Sequence, residues 1–251
     1  MARSAPDRLV RKLMGILPAI AVILGAGMLA SSLMSAGSTW PVSGEATPGD
    51  DPPHLVVVID AGHGGIDGGA VGIETGAVEK QLNLRYAFAL KAELEARGMT
   101  VVLTRADDDS LASGKKADMA KRREIMNGSD ADIVVSIHMN KFRDRTASGP
   151  MAFYMKDSVE GKTLATFVIK AICTCLERNA RLASASNFFI VRESKVPAVL
   201  VECGFLSNAT EEKLLQTDEH MQKIVKGIAD GIEDYFGIPR DGGPDGAPPG
   251  G

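Results

Sequence analysis

The sequence predicts an α/β domain, in which a twisted, mostly parallel or mixed β-sheet carries helices on both faces. Three short apolar runs, Leu55–Ile59, Ile133–Ile137 and Ala198–Val201, have the pattern of strands that are buried on both sides. Segments with helical periodicity alternate with these runs, as in a layered α/β fold. The chain has 251 residues, of which 45% are hydrophobic and 24% charged, a composition typical of a folded domain.

The first half of the domain is predicted from apolar spacing and from its helix ends. Apolar residues recur at three- and four-residue spacing after Glu79, and a glycine at position 98 is a typical helix end. The predicted order is a strand over Leu55–Ile59, a helix from Glu79 to near Gly98, a strand over Thr100–Thr104, a polar loop over Ala106–Lys115 and a helix over Ala117–Met126.

The second half continues the alternation. Its predicted order is a strand over Ile133–Ile137, an edge strand over Pro150–Met155, a helix whose apolar face runs from Leu164 to Cys175, a strand over Ala198–Val201 and a last helix marked by apolar residues from Met221 to Ile232. Pro150 indicates the edge position, because proline has no N–H group to donate to a neighbouring strand. On the helix that contains Cys175, the spacing places Cys173 off the apolar face.

The residues before the domain have the composition of an export segment. Residues 13–34 contain no charged side chain and are long enough to cross a membrane, while basic residues dominate residues 1–12. This flank predicts a cytoplasmic N-terminus followed by a transmembrane anchor, with the rest of the chain outside. The alternative is a signal peptide cleaved at Ala30-Ser31-Ser32. An uncleaved anchor would leave the domain attached to the membrane, whereas cleavage of a signal peptide would release it as a secreted protein.

Two segments are predicted to have no core of their own. Residues 35–53 are rich in Ser, Gly and Pro, which is typical of a flexible linker. Residues 239–251 are almost entirely Pro, Gly, Asp and Ala, which predicts a disordered tail. A single folded domain is therefore expected over residues 54–238.

Charge and cysteine content exclude two classes of function. The formal net charge of −4 provides no basic excess for nucleic acid, so no polynucleotide partner is expected. The three cysteines include no Cys-x-x-Cys pair, so they offer neither a disulfide framework nor a thiolate metal site. Any metal site must then use histidine and carboxylate ligands.

Ionisable residues follow three of the predicted strands at their carboxyl ends. His63 comes shortly after the first strand, His138 directly after Ile133–Ile137, and Glu202 directly after Ala198–Val201. The carboxyl ends of parallel strands meet at one edge, where α/β proteins bind ligands. A single histidine after a strand is more often a hydrogen-bonded structural residue than a ligand. Three such residues at one edge favour a functional site.

Glu79 supplies a fourth member of this site. It lies in the first turn of its helix with its carboxylate toward the inner side, although an acid there is also favoured by the helix dipole alone. Glu74 is an alternative ligand in a nearby loop. Two imidazoles and one carboxylate are the ligand set of a catalytic zinc site. Glu202, between Val201 and Cys203 and with no adjacent basic residue, then fits the role of general base.

Four segments together resemble a known enzyme family. They are VVIDAGHGGIDGGAVG (Val57 to Gly72), VEKQLNL (Val78 to Leu84), ADIVVSIHMN (Ala131 to Asn140) and VPAVLVECGFLSN (Val196 to Asn208). In order and spacing they are similar to the zinc-dependent N-acetylmuramoyl-L-alanine amidases of the amidase-3 group, which includes membrane-tethered enzymes of spore cortex processing and germination.

The resemblance implies a catalytic domain that hydrolyses peptidoglycan with Zn²⁺ as its cofactor. It implies that His63, Glu79 and His138 bind the ion and that Glu202 is the catalytic acid and base. Small departures from the family pattern are Cys203, where an aliphatic residue is usual, and Lys141, where a small residue is common. Both bear on substrate preference rather than on the metal ligands.

Two other enzyme classes are disfavoured by the sequence. A dinucleotide-binding loop is disfavoured because Asp67 stands at the third glycine of G-x-G-x-x-G, and a serine hydrolase is disfavoured because G-x-S-x-G is absent. A zinc peptidase acting on the stem peptide and a non-catalytic cell-wall binding module remain alternatives.

No wall-binding domain is recognisable, so targeting is expected from the anchor or from an unknown activating partner protein. Arg105, Arg122 and Arg123 are expected in salt bridges rather than on substrate.

Overall fold

A six-stranded sheet forms the centre of the computed structural model, which describes residues 54–240. The strands are β1 (Val56–Ala61), β2 (Thr100–Leu103), β3 (Ile133–Asn140), β4 (Met151–Met155), β5 (Ser184–Ser186) and β6 (Ala198–Phe205). The helices are α1 (Glu79–Ala96), α2 (Lys115–Gly128), α3 (Val159–Cys175), α4 (Phe189–Glu193), α5 (Ala209–Leu215) and α6 (Asp218–Phe236).

The sheet is mixed and mostly parallel, as the sequence predicts. Its strand order is β2-β1-β3-β6-β4-β5, and β2, β1, β3 and β6 all run in the same direction. Strand β4 runs antiparallel to β6, and β5 runs parallel to β4. The carboxyl ends of β1, β3 and β6 therefore lie side by side at one edge of the sheet, while β4 ends at the opposite edge.

Helices cover both faces of the sheet. Because side chains alternate along a strand, Val57 and Ile59 face the larger core with helices α1, α3 and α6. Val58, Val134 and Leu200 face a smaller core with α2 and α4. Asp60, His138 and Glu202 follow Val58, Val134 and Leu200 at even spacing along their strands. These three polar side chains therefore lie on the same face of the sheet as the smaller core, at the carboxyl edge.

The structure differs from the sequence expectations at the edge of the sheet. The predicted edge strand is β4, but it lies between β6 and β5, and the short β5 forms the edge instead. Pro150 precedes the first residue of β4, so its missing N–H removes no hydrogen bond from the sheet. The segment Ser184-Ala185-Ser186 has no apolar alternation that could have predicted a strand.

The expectation for two cysteines of α3 is wrong. Cys173 is buried in the larger core, whereas Cys175 is only half-buried, with its sulfur 3.9 Å from Asp230 Oδ2. Cys173 follows the buried Ile169 by four residues, so both side chains lie on the same side of the helix.

The predicted N-terminal and C-terminal segments lie outside the described residues. This holds for residues 1–12, the anchor or signal peptide at 13–34, the linker at 35–53 and the tail beyond residue 240. Within residues 54–240, no helix has the length and apolar character that a membrane crossing requires. The twelve helices and strands of the described part of the chain run from Val56 to Phe236.

A buried ion network ties the end of β1 to α2. The side chain of Arg122 is only 1% exposed, and it donates hydrogen bonds to Asp60 (2.7 Å) and Asp118 (2.8 Å). Arg122 also donates to the carbonyl oxygens of Ala61 (2.8 Å) and His63 (2.5 Å). The expected salt bridge of Arg122 is therefore present, and it holds the backbone that leads into the predicted site.

Asp60 is ionised inside this network. Burial alone raises its pKa, but Arg122 and the hydroxyl of Ser136 outweigh burial and hold the pKa below its usual value. The Thr104 hydroxyl donates a further hydrogen bond to Asp60 at 2.8 Å. The buried carboxylate therefore has a partner for each oxygen.

Replacing Arg122 with methionine should lower the free energy of unfolding by about 3–5 kcal/mol, because two buried carboxylates lose their cation. The matched control is Arg123→Ala at the neighbouring position. Arg123 is exposed and pairs with Glu193 at 3.2 Å, so its loss should cost less than about 1 kcal/mol. Urea denaturation of the three proteins measures both values, and equal effects would contradict a structural role for the network.

The contribution of Asp60 to stability should depend on pH in a defined direction. Its folded-state pKa lies below the unfolded value of 3.8, so the stabilisation is present above that value and is lost as pH falls through the folded-state pKa. The difference in unfolding free energy between wild type and Asp60→Asn should therefore shrink below about pH 4. Urea denaturation at a series of pH values checks this, and a constant difference would be evidence against it.

Candidate metal centre

Three strands and one helix bring the four predicted site residues to the carboxyl edge of the sheet. His63 lies two residues beyond β1, and His138 lies within β3. Glu202 lies in β6, directly opposite His138 in the parallel register. Glu79 is the first residue of α1. The structure therefore places together side chains that are far apart along the chain.

The carboxylate of Glu79 lies between the two imidazole rings. Its Oε1 atom is 3.1 Å from His63 Nε2 and 2.9 Å from His138 Nδ1. One nitrogen of each ring and one oxygen of the carboxylate all lie within 4.8 Å of one another. Within residues 54–240, this is the one group of three histidine, cysteine or acidic side chains close enough to share an ion.

Backbone groups fix the direction of the Glu79 carboxylate. Its Oε2 accepts a hydrogen bond from the N–H of Ala70 at 2.6 Å, while the N–H of Glu79 itself donates to the carbonyl of Ala70 at 2.9 Å. The N–H of Met139 donates to Oε1 at 3.2 Å. The carboxylate is therefore preorganised rather than free to rotate into solvent.

The two histidines keep the pKa of Glu79 far below its usual value. Burial alone would raise that pKa, but hydrogen bonding and charge from His138 and His63 outweigh burial. Glu79 and Asp67 likewise outweigh the burial of His63 and raise its pKa. Because the carboxylate is buried and ionised, it needs a positive charge beside it, from a proton or from a metal ion.

Asp67 orients the ring of His63. Its Oδ1 lies 2.9 Å from His63 Nδ1, on the side of the ring away from Glu79. If Nδ1 carries the proton and donates it to Asp67, then Nε2 presents its lone pair toward the Glu79 oxygen. Two electron donors at 3.1 Å repel each other unless a cation lies between them. A metal ion bound here would remove this repulsion, and a carboxylate hydrogen-bonded to the far nitrogen of a metal-binding histidine is a common arrangement.

Two glycines leave room for these side chains. A Cβ atom on Gly62 would lie 2.2 Å from the Nε2 of His138, and one on Gly69 would lie 2.5 Å from the Oε2 of Glu79. Both approaches are shorter than any non-bonded contact allows, so a side chain at Gly62 would displace His138 and one at Gly69 would displace Glu79. Gly69 also has a φ of +69°, which disfavours other residues.

Glu202 lies beside the ligand group without joining it. Its Oε2 atom is buried and has no hydrogen-bond partner among the described residues. Burial, together with the charge of Glu79, raises the pKa of Glu202 to about 7, against the opposing effect of the histidines. A buried polar atom without a partner is costly unless something absent from the protein itself satisfies it, such as water or substrate.

Glu74 and Cys203 take no part in the ligand group. Glu74, the alternative ligand considered from the sequence, is exposed and pairs with Lys213 at 2.8 Å. It does not belong to the group formed by His63, Glu79 and His138. Cys203 is buried in the larger core, on the face of the sheet opposite Glu202. Burial raises its pKa well above the usual value, consistent with an apolar packing role.

Sequence reasoning missed the support provided by Asp67 and Asn83. In the sequence Asp67 is notable mainly because it breaks a dinucleotide-binding pattern, although an acid four residues after a candidate ligand histidine is a recognisable indication of support. Asn83 is fully buried, and its amide donates to the carbonyl of Gly62 at 3.1 Å. No residue pattern along the chain indicates that contact, because it joins α1 to the loop after β1.

An open groove passes over the four site residues. On the α2 and α4 side its wall is mainly apolar, formed by Met119, Phe188, Phe189, Ile190 and Leu200. Lys115 and Lys141 lie in the same lining. A ligand with both apolar and anionic parts would be complementary to these surfaces.

Comparison with protein families gives one match that covers most of the chain. The family described as N-acetylmuramoyl-L-alanine amidase (amidase-3) matches residues 57–234. This range contains the two histidines and the two glutamates of the site.

Individual relatives agree with the family match. The germination-specific N-acetylmuramoyl-L-alanine amidase of Bacillus subtilis is 33% identical over 190 residues, which covers 72% of this chain and 79% of that protein. The N-acetylmuramoyl-L-alanine amidase AmiA of Escherichia coli is 31% identical over 226 residues, covering 72% and 76% respectively.

Solved amidase structures share the fold. The CwlD amidase from Clostridioides difficile, solved in complex with the GerS lipoprotein, has a TM-score of 0.70 and 33% identity, covering 74% of this chain and all of that chain. The catalytic domain of the CwlV amidase from Bacillus (Paenibacillus) polymyxa has a TM-score of 0.67 and 35% identity, covering 74% and 99%.

If the site holds a divalent ion, replacing Asp67 with asparagine should weaken its affinity for Zn²⁺ by about 10- to 100-fold, because the ring of His63 loses the carboxylate that orients it. Competition with a zinc-chelating dye measures the affinity. The matched control is Asp157→Asn, since Asp157 is exposed and follows β4 at the opposite edge of the sheet. An unchanged affinity in the Asp67 variant would show that the hydrogen bond does not support the ligand.

Proposed function

The chain belongs to the amidase-3 family of N-acetylmuramoyl-L-alanine amidases, and we propose that it uses zinc to hydrolyse the amide bond between the lactyl group of N-acetylmuramic acid and L-alanine in peptidoglycan. In this proposal His63, Glu79 and His138 hold the ion, and Glu202 transfers protons. The observation that supports it most is the position of Glu79 Oε1, which lies 3.1 Å from His63 Nε2 and 2.9 Å from His138 Nδ1. Beside this group lies Glu202, whose Oε2 has no hydrogen-bond partner among the described residues.

The donor set fits zinc better than other divalent ions. Two imidazole nitrogens and one carboxylate oxygen are a recurrent catalytic zinc set, whereas magnesium and calcium prefer oxygen ligands alone. When bound, zinc polarises the substrate carbonyl and lowers the pKa of water to about 7. Glu79 contributes the negative charge of the site, and Asp67 keeps one nitrogen of His63 directed inward.

In this proposal Glu202 transfers the protons. Its carboxylate accepts a proton from the attacking water and then donates it to the nitrogen of L-alanine as the amide C–N bond breaks. The products are a free lactyl carboxylate and a stem peptide with a free amino group. Burial raises the pKa of Glu202 above that of an ordinary glutamate, which helps the same carboxyl group to accept a proton and to donate it near neutral pH.

The surroundings of Glu202 explain why one residue can serve both steps. Its neighbours Val201 and Cys203 are buried, and within residues 54–240 no basic side chain forms a salt bridge with it. Paired carboxylates elsewhere in the protein, such as Asp60 with Arg122, have lowered pKa values and would be poor bases. Because no basic side chain among the described residues holds the Glu202 carboxylate in the ionised form, its pKa stays high enough for proton transfer.

We further propose that the domain acts outside the cytoplasm, where peptidoglycan lies. The transmembrane anchor or signal peptide predicted at residues 13–34 would export the domain, which would then be membrane-anchored or secreted. The Clostridioides difficile relative was solved with a lipoprotein. That complex supports the expectation that a partner protein assists targeting or activation of this chain.

Digestion of purified peptidoglycan tests the reaction and separates it from the alternatives. The proposal predicts intact stem peptides with new amino groups on L-alanine, which mass spectrometry after amine labelling detects. A zinc peptidase would instead release shortened stem peptides. A non-catalytic wall-binding module would bind the polymer and release neither product.

Replacing Glu202 with glutamine should reduce the rate of muropeptide hydrolysis by about 10²- to 10⁴-fold, while zinc content and thermal stability stay close to wild type. The matched control is Glu160→Gln, because Glu160 is exposed in the first turn of α3, away from the site. Liquid chromatography of a soluble muropeptide measures the rates. Near-wild-type activity of the Glu202 variant would refute its role in proton transfer.

A further inference from the structure

An exposed loop beside the groove carries three cations without acidic partners. The loop comprises residues 141–146 and follows β3; we refer to it as the cationic loop. Lys141, Arg143 and Arg145 are all exposed, and none has a carboxylate within 4 Å among the described residues. The chain as a whole has a net charge of −4, so this concentration of positive charge is local.

The cationic loop is anchored by hydrogen bonds at both ends. The N–H of Phe142 donates to the hydroxyl of Ser207 at 2.9 Å, and the side-chain amide of Asn208 donates to the carbonyl of Ala147 at 3.3 Å. Asp144, the one acid of the loop, accepts from the hydroxyl and the N–H of Thr146 at 2.7 and 2.8 Å. Its carboxylate is engaged within the turn rather than with a neighbouring arginine.

Lys141 connects the cationic loop to the catalytic groove. It comes three residues after His138 and lines the same groove as His138 and Glu202. At about 3.3 Å per residue along a strand, its backbone lies about 10 Å from that of His138. A lysine side chain can therefore hold a charged group one residue beyond the bond that is cleaved.

We propose that the cationic loop binds the free carboxylate of the second residue of the stem peptide, an inference that rests on the proposed function. In peptidoglycan this residue is a glutamate linked through its side-chain carboxyl, which leaves its α-carboxyl free or, in some walls, converted to a carboxamide. At most about 3.6 Å per residue, that group lies about 7 Å from the cleaved amide bond. The chain then prefers stem peptides with the carboxylate over those with the carboxamide.

The difference in charge between the carboxylate and the carboxamide makes this substrate preference measurable. A carboxylate and a carboxamide have nearly the same shape, so they differ mainly in charge. A hydrogen bond to a charged group is stronger than one to a neutral group, and loss of one such bond corresponds to about a tenfold change in binding. Because this carboxylate keeps the same charge in the bound substrate and in the transition state, the contact is equally strong in both, and its loss should appear in KM rather than in kcat.

The experiment compares two soluble muropeptides that differ only in this group, isoglutamate or isoglutamine. We expect the wild-type protein with zinc to favour the isoglutamate substrate by about tenfold in kcat/KM. The variant Lys141→Gln/Arg143→Gln/Arg145→Gln should hydrolyse both substrates at rates within about twofold of each other, with kcat preserved. High salt should also reduce the wild-type preference, because these charges are exposed.

The matched control removes the same number of charges elsewhere. Lys156, Lys162 and Lys170 are exposed and lie after β4 or on α3, away from the groove. The variant Lys156→Gln/Lys162→Gln/Lys170→Gln should keep the wild-type preference. A loss of preference in this control would attribute the effect to net charge and overturn the assignment to the cationic loop.

The remaining outcomes separate this inference from the proposed function. Hydrolysis of neither substrate by the wild-type protein would overturn both. Hydrolysis of both at equal rates would overturn the inference alone. A loop variant that keeps the preference on soluble substrates but loses activity on intact wall would show that the cationic loop binds an anionic wall polymer, which also overturns the inference.

Discussion

The structure of the site depends on one buried carboxylate held between two imidazole rings. Glu79 can remain ionised there only because His63 and His138 face it and backbone N–H groups bond to it. The surrounding features follow from this requirement. Gly62 and Gly69 leave space for the rings and the carboxylate, and Asp67 directs His63 from behind. These contacts form a rigid set of electron donors that a divalent cation would complete.

A second constraint is the parallel register between β3 and β6. Because His138 lies directly opposite Glu202, both side chains point from the same face of the sheet at its carboxyl edge. A shift of one residue would turn Glu202 into the larger core, where an ionised group has no compensation. The apolar packing of Val199 and Val201 on that opposite face therefore fixes the position of Glu202.

Much of this arrangement could be predicted from sequence, because strong apolar runs end at ionisable residues. The four segments around His63, Glu79, His138 and Glu202 also resemble one family in order and spacing. What sequence could not predict depends on contacts between distant segments. The strand Ser184–Ser186 has no apolar pattern, the burial of Arg122 requires acids from two elements, and the cationic loop matters only through its place beside the groove.

The most direct measurement of the central claim is a crystal structure with anomalous diffraction recorded at the zinc absorption edge. The account predicts one strong peak about 2.0–2.2 Å from His63 Nε2, a Glu79 carboxylate oxygen and His138 Nδ1, with Glu202 nearby but not bound to the ion. No peak at this position in zinc-loaded protein, or a peak coordinated by other residues, would contradict it.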